Sequence, residues 1–384
     1  MAEIIYPEKV RKIFKIFRKY GYDAYAVGGC VRDSIMGKIP ADWDITTSAT
    51  PEQTLEIFEK ESIRTLPTGL KHGTVSVLLD GEIFECTTFR IDGDYKDSRH
   101  PESVIFTNKL ELDLSRRDFT VNAMAASSQR GICDFFGGRD DIKNRIIRCV
   151  GQPALRFSED ALRILRGVRF ATVLDFEIDT ETLCAIKDLA HTLSDISAER
   201  KTIELSKILC SEHANRGAKL LFETGVICLL LPDAQVIPSN VTLLDADLSL
   251  RLATFMYQSG ARDISRLRLS NREKQNIKVL LTPIEFEDTD EGARRTIARY
   301  GELAINACKL QGREKLMRLV TEQKKFCPAV SISQLKIDGN TLLSLGIQPE
   351  NIGKTLSTLL DLVISDPALN NKNTLIEQAK KLNA

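Results

Sequence analysis

The strongest constraint on the fold is a change of character near residue 150. Before it, runs rich in β-branched and aromatic residues alternate with glycine-bearing turns. After it, strand-like runs nearly vanish and apolar residues recur at helical spacing. A chain that separates its strands from its helices in this way is α+β, a sheet-bearing N-terminal part followed by a helical remainder. Its 384 residues exceed what one compact core serves, so two to four domains are expected.

Within the β-rich part, the stretch Ala26-Val-Gly-Gly-Cys-Val-Arg-Asp33 followed by Asp42-Trp-Asp44 carries the densest chemistry. Gly28 and Gly29 remove side chains where backbone N–H groups approach a phosphate, and Arg32, in the next helical turn, supplies a two-pronged clamp. Asp42 and Asp44 stand at i and i+2. In a strand that spacing puts both carboxylates on one face, with Cα atoms roughly 6–7 Å apart. Such a pair can bridge two divalent ions about 3.5–4 Å apart, an arrangement suited to in-line nucleotidyl transfer. Taken singly, a Gly-Gly is a turn and an Asp-x-Asp is surface decoration. Together they point to a nucleoside triphosphate and a metal.

The flanking elements can be read in order. Pro7–Tyr20 is a helix, with Val10, Ile13, Phe14 and Phe17 at helical spacing and Gly21 ending it. Thr50-Pro51 opens another, as an N-cap followed by a first-turn proline. His72–Leu79, Asp80-Gly81 and Glu82–Phe89 form a hairpin around a preferred turn pair. Glu85 in its second strand is either a third acidic group beside the aspartates or a solvent-facing strand residue. Asp92–Pro101 has no apolar periodicity and reads as a mobile loop. Leu114–Ala125 has apolar residues at helical spacing. It reads either as a capped amphipathic helix, or as a site element with Arg117 on a triphosphate and Asp118 and Asn122 around a nucleotide sugar.

In the helical part, Ser158–Phe170 reads as one helix with Ser158 as N-cap and Leu162, Leu165 and Val168 facing inward. Asp160 and Arg163 are i,i+3 neighbours, followed by Arg166 and Arg169. The plain reading is a surface ion pair worth about 0.2–0.5 kcal/mol. The sharper one is base selection. A carboxylate accepts from the amino group of cytosine or adenine while a guanidinium donates to the adjacent ring acceptor; guanine and uracil carry a carbonyl there instead. Arg166 and Arg169 would hold other parts of the nucleotide, or are basic surface. Ala198–Leu209 is a further amphipathic helix whose Glu199, Arg200 and Glu204 would brace the preceding one. From Arg216 onward the chain reads as helices with short breaks, among them Gly339-Asn340. The basic stretches Arg262–Lys278 and Lys309–Lys325 are either solvated helix faces or contacts to an RNA backbone.

Composition excludes several classes. Fifty-three basic residues balance 53 acidic ones, so nucleic-acid binding rests on local patches. The nine cysteines are odd in number and lack a C-x-x-C pair, which argues for free thiols in a reducing compartment. No run reaches 18 apolar residues, so no membrane span is expected and the expected location is the cytoplasm.

Gly28-Gly-Cys-Val-Arg-Asp33, Asp42-Trp-Asp44, Thr87-Thr-Phe-Arg90, Arg116–Ala125 and Glu159-Asp-Ala-Leu-Arg163 resemble, in order, the motifs of bacterial class II tRNA nucleotidyltransferases. These are the CCA-adding enzymes, which share a catalytic head with bacterial poly(A) polymerases. The resemblance spans roughly residues 22–210 and weakens beyond. It implies an N-terminal nucleotidyltransferase β-sheet head (1–150), then an all-helical neck with the base-selecting motif (151–215), body (216–282) and tRNA-binding tail (283–384). It implies Mg²⁺ on Asp42 and Asp44, with Glu85 as the acidic residue of the strand before the loop. Gly29, Arg32 and Arg117 become triphosphate contacts, Gly28 is a further nucleotide-binding position, and Asp118 and Asn122 lie at the sugar. Asp160 and Arg163 select the base, with Arg166 and Arg169 as further nucleotide contacts. The implied reaction is template-independent addition of C, C and A to the tRNA 3′ end from CTP and ATP, releasing pyrophosphate, with no obligate protein partner. The alternative is A-only addition or poly(A) polymerisation. Thr68–Val75 looks more like the CCA-adding version, and the intact loop from Thr87 to Val104 disfavours a CC-only enzyme.

Overall fold

The computed structural model describes residues 4–93, 104–326 and 328–382. Among the described residues its N-terminal part holds ten strands: β1 (Ala24–Val27), β2 (Ile45–Thr47), β3 (Thr65–Gly69), β4 (Thr74–Leu79), β5 (Glu82–Thr88), β6 (Arg90–Asp92), β7 (Val104–Phe106), β8 (Met124–Ser127), β9 (Gly131–Asp134) and β10 (Ile146–Ile147), the last paired in parallel with β11 (Glu177–Ile178). Seven form one sheet in the order β3-β4-β5-β2-β1-β8-β9. β2 and β5 run parallel, and every other neighbouring pair is antiparallel. β6 and β7 pair separately. The helices here are α1 (Glu8–Lys19), α2 (Gly29–Ile35), α3 (Pro51–Lys60), α4 (Leu110–Ser115) and α5 (Gly138–Asn144). They continue with α6 (Pro153–Glu159), α7 (Leu162–Leu174), α8 (Thr180–Leu189) and α9 (Ala198–Leu209). The class is α+β, as the sequence implies.

Local chemistry explains several of these elements. Thr50 accepts from the Gln53 N–H while Gln53 reaches back, a full capping box with Pro51 in the first turn of α3. Asp80 and Gly81 both have positive φ, which matches the twist a two-residue hairpin needs between β4 and β5. α1 turns Val10, Ile13, Phe14 and Phe17 onto the sheet beside Phe58 of α3, against Ala26, Ile45, Phe84 and Cys86. The Phe17 and Phe58 rings meet edge-on at 5.3 Å, and both side chains are fully buried. Each such burial contributes about 1.5–3 kcal/mol, so this face anchors the sheet. The other face carries a smaller cluster of Tyr25, Val27, Phe89, Leu114 and Ala125, beside the polar Thr46 and Thr87.

Two stretches differ from the sequence-based expectation. Leu114–Ala125 is not one helix: α4 ends at Ser115, Thr120–Asn122 form a 3₁₀ turn, and Met124 begins β8. The Gly28 N–H donates to the Met124 C=O, so sheet pairing overrides the helical spacing. Ser158–Phe170 is likewise two helices, broken at Asp160, whose backbone is extended. Ser158 lies in the last turn of α6 and caps nothing; the Leu162 N–H donates to Asp160 Oδ1 instead. Of the expected loop, Asp92 ends β6 and residues 94–101 lie outside those described.

The chain divides into two compact units, Met1–Ala234 with Asp263–Arg268, and Gln235–Arg262 with Leu269–Ala384. The boundary expected at 215/216 falls inside the first and that at 282/283 inside the second. The second unit is helical: Leu248–Ser259, Asn271–Leu281, Asp290–Tyr300, Ala304–Leu310, Glu314–Lys325, Gly339–Ser344, Pro349–Ser365 and Lys372–Leu382. Gly339-Asn340 starts a helix capped by Asp338 and interrupts none. Leu342, Leu359, Val363 and Leu375 centre its C-terminal core. Among the described residues no helix is long and apolar enough to cross a membrane.

Candidate active site

The site face of the sheet is built around the turn from β1 into α2. The Val27 N–H donates to the Asp44 C=O at 3.0 Å, which fixes the start of β2 beside the end of β1. Gly28 has φ 79° and ψ −128°, a conformation open to glycine alone at low cost. A Cβ there would also lie 3.3 Å from Arg117 Nη1. Gly28 therefore does two things: it makes the turn and it lets an arginine lie against it.

Arg32, one turn into α2, donates from Nη1 to Asn122 Oδ1 at 2.7 Å and from Nε to Asp33 at 2.9 Å. Asn122 Nδ2 donates on to Asp118 at 3.4 Å, and Asp118 accepts from Arg166 Nε and Nη2 at 2.8 and 2.6 Å. Burial opposes ionisation of Asp118, but the Arg166 charge and its two hydrogen bonds override it and hold the carboxyl at about 2. The Phe170 ring packs against three guanidiniums, with its centroid 3.7 Å from Arg169, 5.3 Å from Arg166 and 5.5 Å from Arg32. Arg169 is also ion-paired with Glu204.

Arg117 hangs from the fully buried Asp113 at 3.5 Å. Burial opposes ionisation of Asp113 too, yet Arg116, Arg117 and the Thr46 hydroxyl hold its carboxyl below the usual range. Arg117 Nε is buried with no hydrogen-bond partner. An orphaned guanidinium donor against a glycine turn is what an acceptor-only ligand such as phosphate would satisfy.

Asp42 and Asp44 lie immediately before β2, not within it. The parallel register pairs Ile45 with Cys86, which brings Asp44 level with Glu85 on the face of Thr46 and Thr87. Asp44 is exposed to solvent as a residue, with its carboxyl partly shielded by its neighbours. Burial pushes its pKa up; Arg117 works against that rise, and the charges of Glu85 and Asp42 add to it. Among the described residues, no hydrogen bond or ion pair is made by the side chains of Asp42, Asp44 or Glu85. These unpaired oxygen donors suit a hard divalent cation. No three acidic, histidine or cysteine side chains among the described residues are grouped to enclose a metal alone. Mg²⁺ is usually held by one or two carboxylates plus substrate phosphates, so two aspartates fit it.

Asp160 and Arg163 are not paired with each other. Asp160 accepts from Arg200 Nη1 and Nη2 at 3.3 and 2.7 Å. Arg163 donates to Glu159 at 2.6 Å and to the Arg116 C=O at 2.9 Å. The bracing expected of α9 is thus present through Arg200 and Glu204, whereas Glu199 reaches only the exposed Arg268, 3.6 Å away. The positioning residues Asp113, Glu159 and Phe170 were not foreseen. Asp113 stands three and four positions before Arg116 and Arg117, and Glu159 four before Arg163; those spacings were the available signals.

A seven-stranded sheet with this glycine turn, paired aspartates and converging arginines defines a nucleotidyltransferase with a polymerase-type head. The poly A polymerase head domain matches residues 24–148, and the "Probable RNA and SrmB-binding site of polymerase A" matches residues 175–237. A CCA-adding enzyme of Bacillus cytotoxicus is 35% identical over 86% of this chain and 87% of its own. One from Ligilactobacillus salivarius is 34% identical over 98% and 96%. A Bacillus stearothermophilus CCA-adding enzyme crystallised in complex with CTP is 31% identical, with a TM-score of 0.80 over 99% of each chain. The chain belongs to the CCA-adding enzyme family, whose nucleotidyltransferases generally use a divalent metal.

Proposed function

We propose that this chain adds C, C and A in turn to the 3′ end of tRNA from CTP and ATP, without a nucleic-acid template and in the cytoplasm. The RNA 3′-hydroxyl attacks the nucleotide α-phosphate and pyrophosphate leaves. The observation that carries this reading is the group of exposed carboxylates Asp42, Asp44 and Glu85, which make no hydrogen bond or ion pair among the described residues, near Arg117, itself against the Gly28 turn.

Asp42 and Asp44 would hold Mg²⁺. When bound, the ion lowers the pKa of the attacking hydroxyl and offsets charge on the leaving oxygens. Glu85 adds negative charge beside Asp44 and so favours cation entry. Gly28 and Gly29 let the triphosphate approach the backbone, Arg32 neutralises it, and Arg117 offers its orphaned Nε–H. Asp118 and Asn122 lie at the sugar. Asn122 aligns Arg32, and Asp118 fixes Arg166. The N–H groups that Arg166 and Arg169 do not spend on Asp118 and Glu204 contact the nucleotide. Asp160, held by Arg200, accepts from the base amino group, and Arg163 donates to the adjacent acceptor; each good pairing discriminates by about 1–3 kcal/mol. The tRNA lies on the helical remainder, divided as neck (151–215), body (216–282) and tail (283–384).

Asp42→Ala tests the reading. Its side chain is exposed and makes no hydrogen bond or ion pair, so the variant keeps the melting temperature of the parent. Transfer to tRNA falls by at least about 100-fold, as loss of a metal-binding carboxylate implies. Near-normal Mg²⁺-dependent transfer by the folded variant would overturn it.

A further inference from the structure

The first unit contains a cavity of about 200 Å³ that the reaction above does not use. It lies at the N-terminal end of β1, the opposite end of that strand from Gly28. Its walls come from one face of α1, from residues 22–25, and from the turn between β8 and β9.

The charges around it are one-sided. Arg11, Lys15 and Arg18 follow one another at spacings of four and three, so they share a face of α1. All three are exposed, and among the described residues none makes a side-chain hydrogen bond or ion pair. Two other cations of the same helix are paired, Lys9 with Glu82 and Lys19 with Glu61, whereas Lys12 is unpaired like the three. Across the cavity Arg130 contributes a fourth cation, held 3.2 Å from Asp23, the one carboxylate in the lining. Four cations against one carboxylate is a local excess in a chain whose formal net charge is zero.

Lysine and arginine only donate hydrogen bonds, so the matching ligand presents acceptors and negative charge. The exposed Ser128 and Gln129 side chains add polar groups for a sugar beside that charge. The volume suits a phosphate with its attached ribose and is too small for a base-paired helix. We infer that this cavity is a second anion site that binds a ribose phosphate. That group belongs to an RNA chain and to a free mononucleotide alike. The RNA source rests on the function proposed above; the mononucleotide source does not.

The test uses the full chain and a Lys15→Ala/Arg18→Ala variant, whose exposed side chains can be removed without opening the core. In one arm a tRNA transcript lacking its CCA end is titrated across a salt series. In the other, CMP is titrated calorimetrically. Loss of that one phosphate contact lowers the slope of log affinity against log salt by about 0.7, with severalfold weaker binding at low salt. That change in the tRNA arm assigns the cavity to RNA; loss of a CMP-binding event in the variant assigns it to a free mononucleotide. Unchanged behaviour in both arms overturns the inference. Transfer is assayed alongside at saturating tRNA and CTP, where the variant matches the parent. Absence of transfer in the parent would instead refute the proposed function, and the binding arms would still decide the cavity.

Discussion

Asp118 is buried and Asp44 is solvent-exposed, and their carboxyls are pushed in opposite directions, which separates chemistry from scaffolding. Asp118 has Arg166 on it, so its ionised form stabilises the fold. That contribution is present above the ordinary carboxylate range and is lost as pH falls toward about 2. Asp44 is the reverse. Its folded pKa is raised, so it favours the fold only while protonated; that contribution is lost as pH rises through the folded value. At neutral pH, ionised Asp44 therefore opposes folding until a cation arrives. Two outcomes are expected of Asp44→Asn. In EDTA at neutral pH it melts above the parent, and MgCl₂ raises the melting temperature of the parent but not of the variant. Thermal melts with and without chelator check both. A variant less stable than the parent in EDTA would remove the electrostatic account. The acidic pair and the glycine turn were legible in the sequence because each is a local pattern. The partners that set their charge state were not. Asp113 reaches Thr46 and Arg166 reaches Asp118 across long sequence separations that no periodicity encodes.

At the scale of elements, the break between α6 and α7 decides how the base would be read. Sequence spacing suggested one continuous helix with Asp160 and Arg163 side by side. The chain is extended at Asp160, and Arg200 of α9 holds its carboxylate with two donors. That contact crosses forty residues, which is why helical spacing missed the break. It also gives α9 a measurable role. Asp160→Ala should relax base choice, so that UTP or GTP competes with CTP in single-nucleotide incorporation. Arg200→Ala should do the same more weakly, because the carboxylate remains but is no longer aimed. Competition assays give the ratio; unchanged selectivity in Asp160→Ala would exclude a base-reading role. Elements set by local chemistry were predicted well: α1, the capped start of α3, the β4–β5 hairpin and α9 all form where expected. Leu114–Ala125 failed for the opposite reason. Its apolar spacing fits a helix, but strand pairing of Met124–Ser127 with β1 and β9 takes over.

For the whole molecule, the change of composition near residue 150 marks the end of the seven-stranded sheet, with only the two-residue strand β11 (Glu177–Ile178) beyond it among the described residues. Contacts divide the described chain differently, into a first unit that carries sheet, α6, α7 and α9, and a second, helical unit. The residues proposed to bind nucleotide all lie in the first. The division makes physical sense, because Arg163 donates to the Arg116 C=O and Arg166 to Asp118, tying the base-reading helix to the sheet. Sequence could not show this, since both bonds join residues from opposite sides of the composition change. The central claim is that one such site adds three nucleotides in a fixed order and then stops. It is tested most directly by incubating the purified chain with tRNA transcripts ending before CCA, after C and after CC, each with labelled CTP or ATP and Mg²⁺. The account predicts C, C and a single A, according to the end supplied. Addition of A only to the CC-ending transcript, or long A tracts on any RNA, would contradict it.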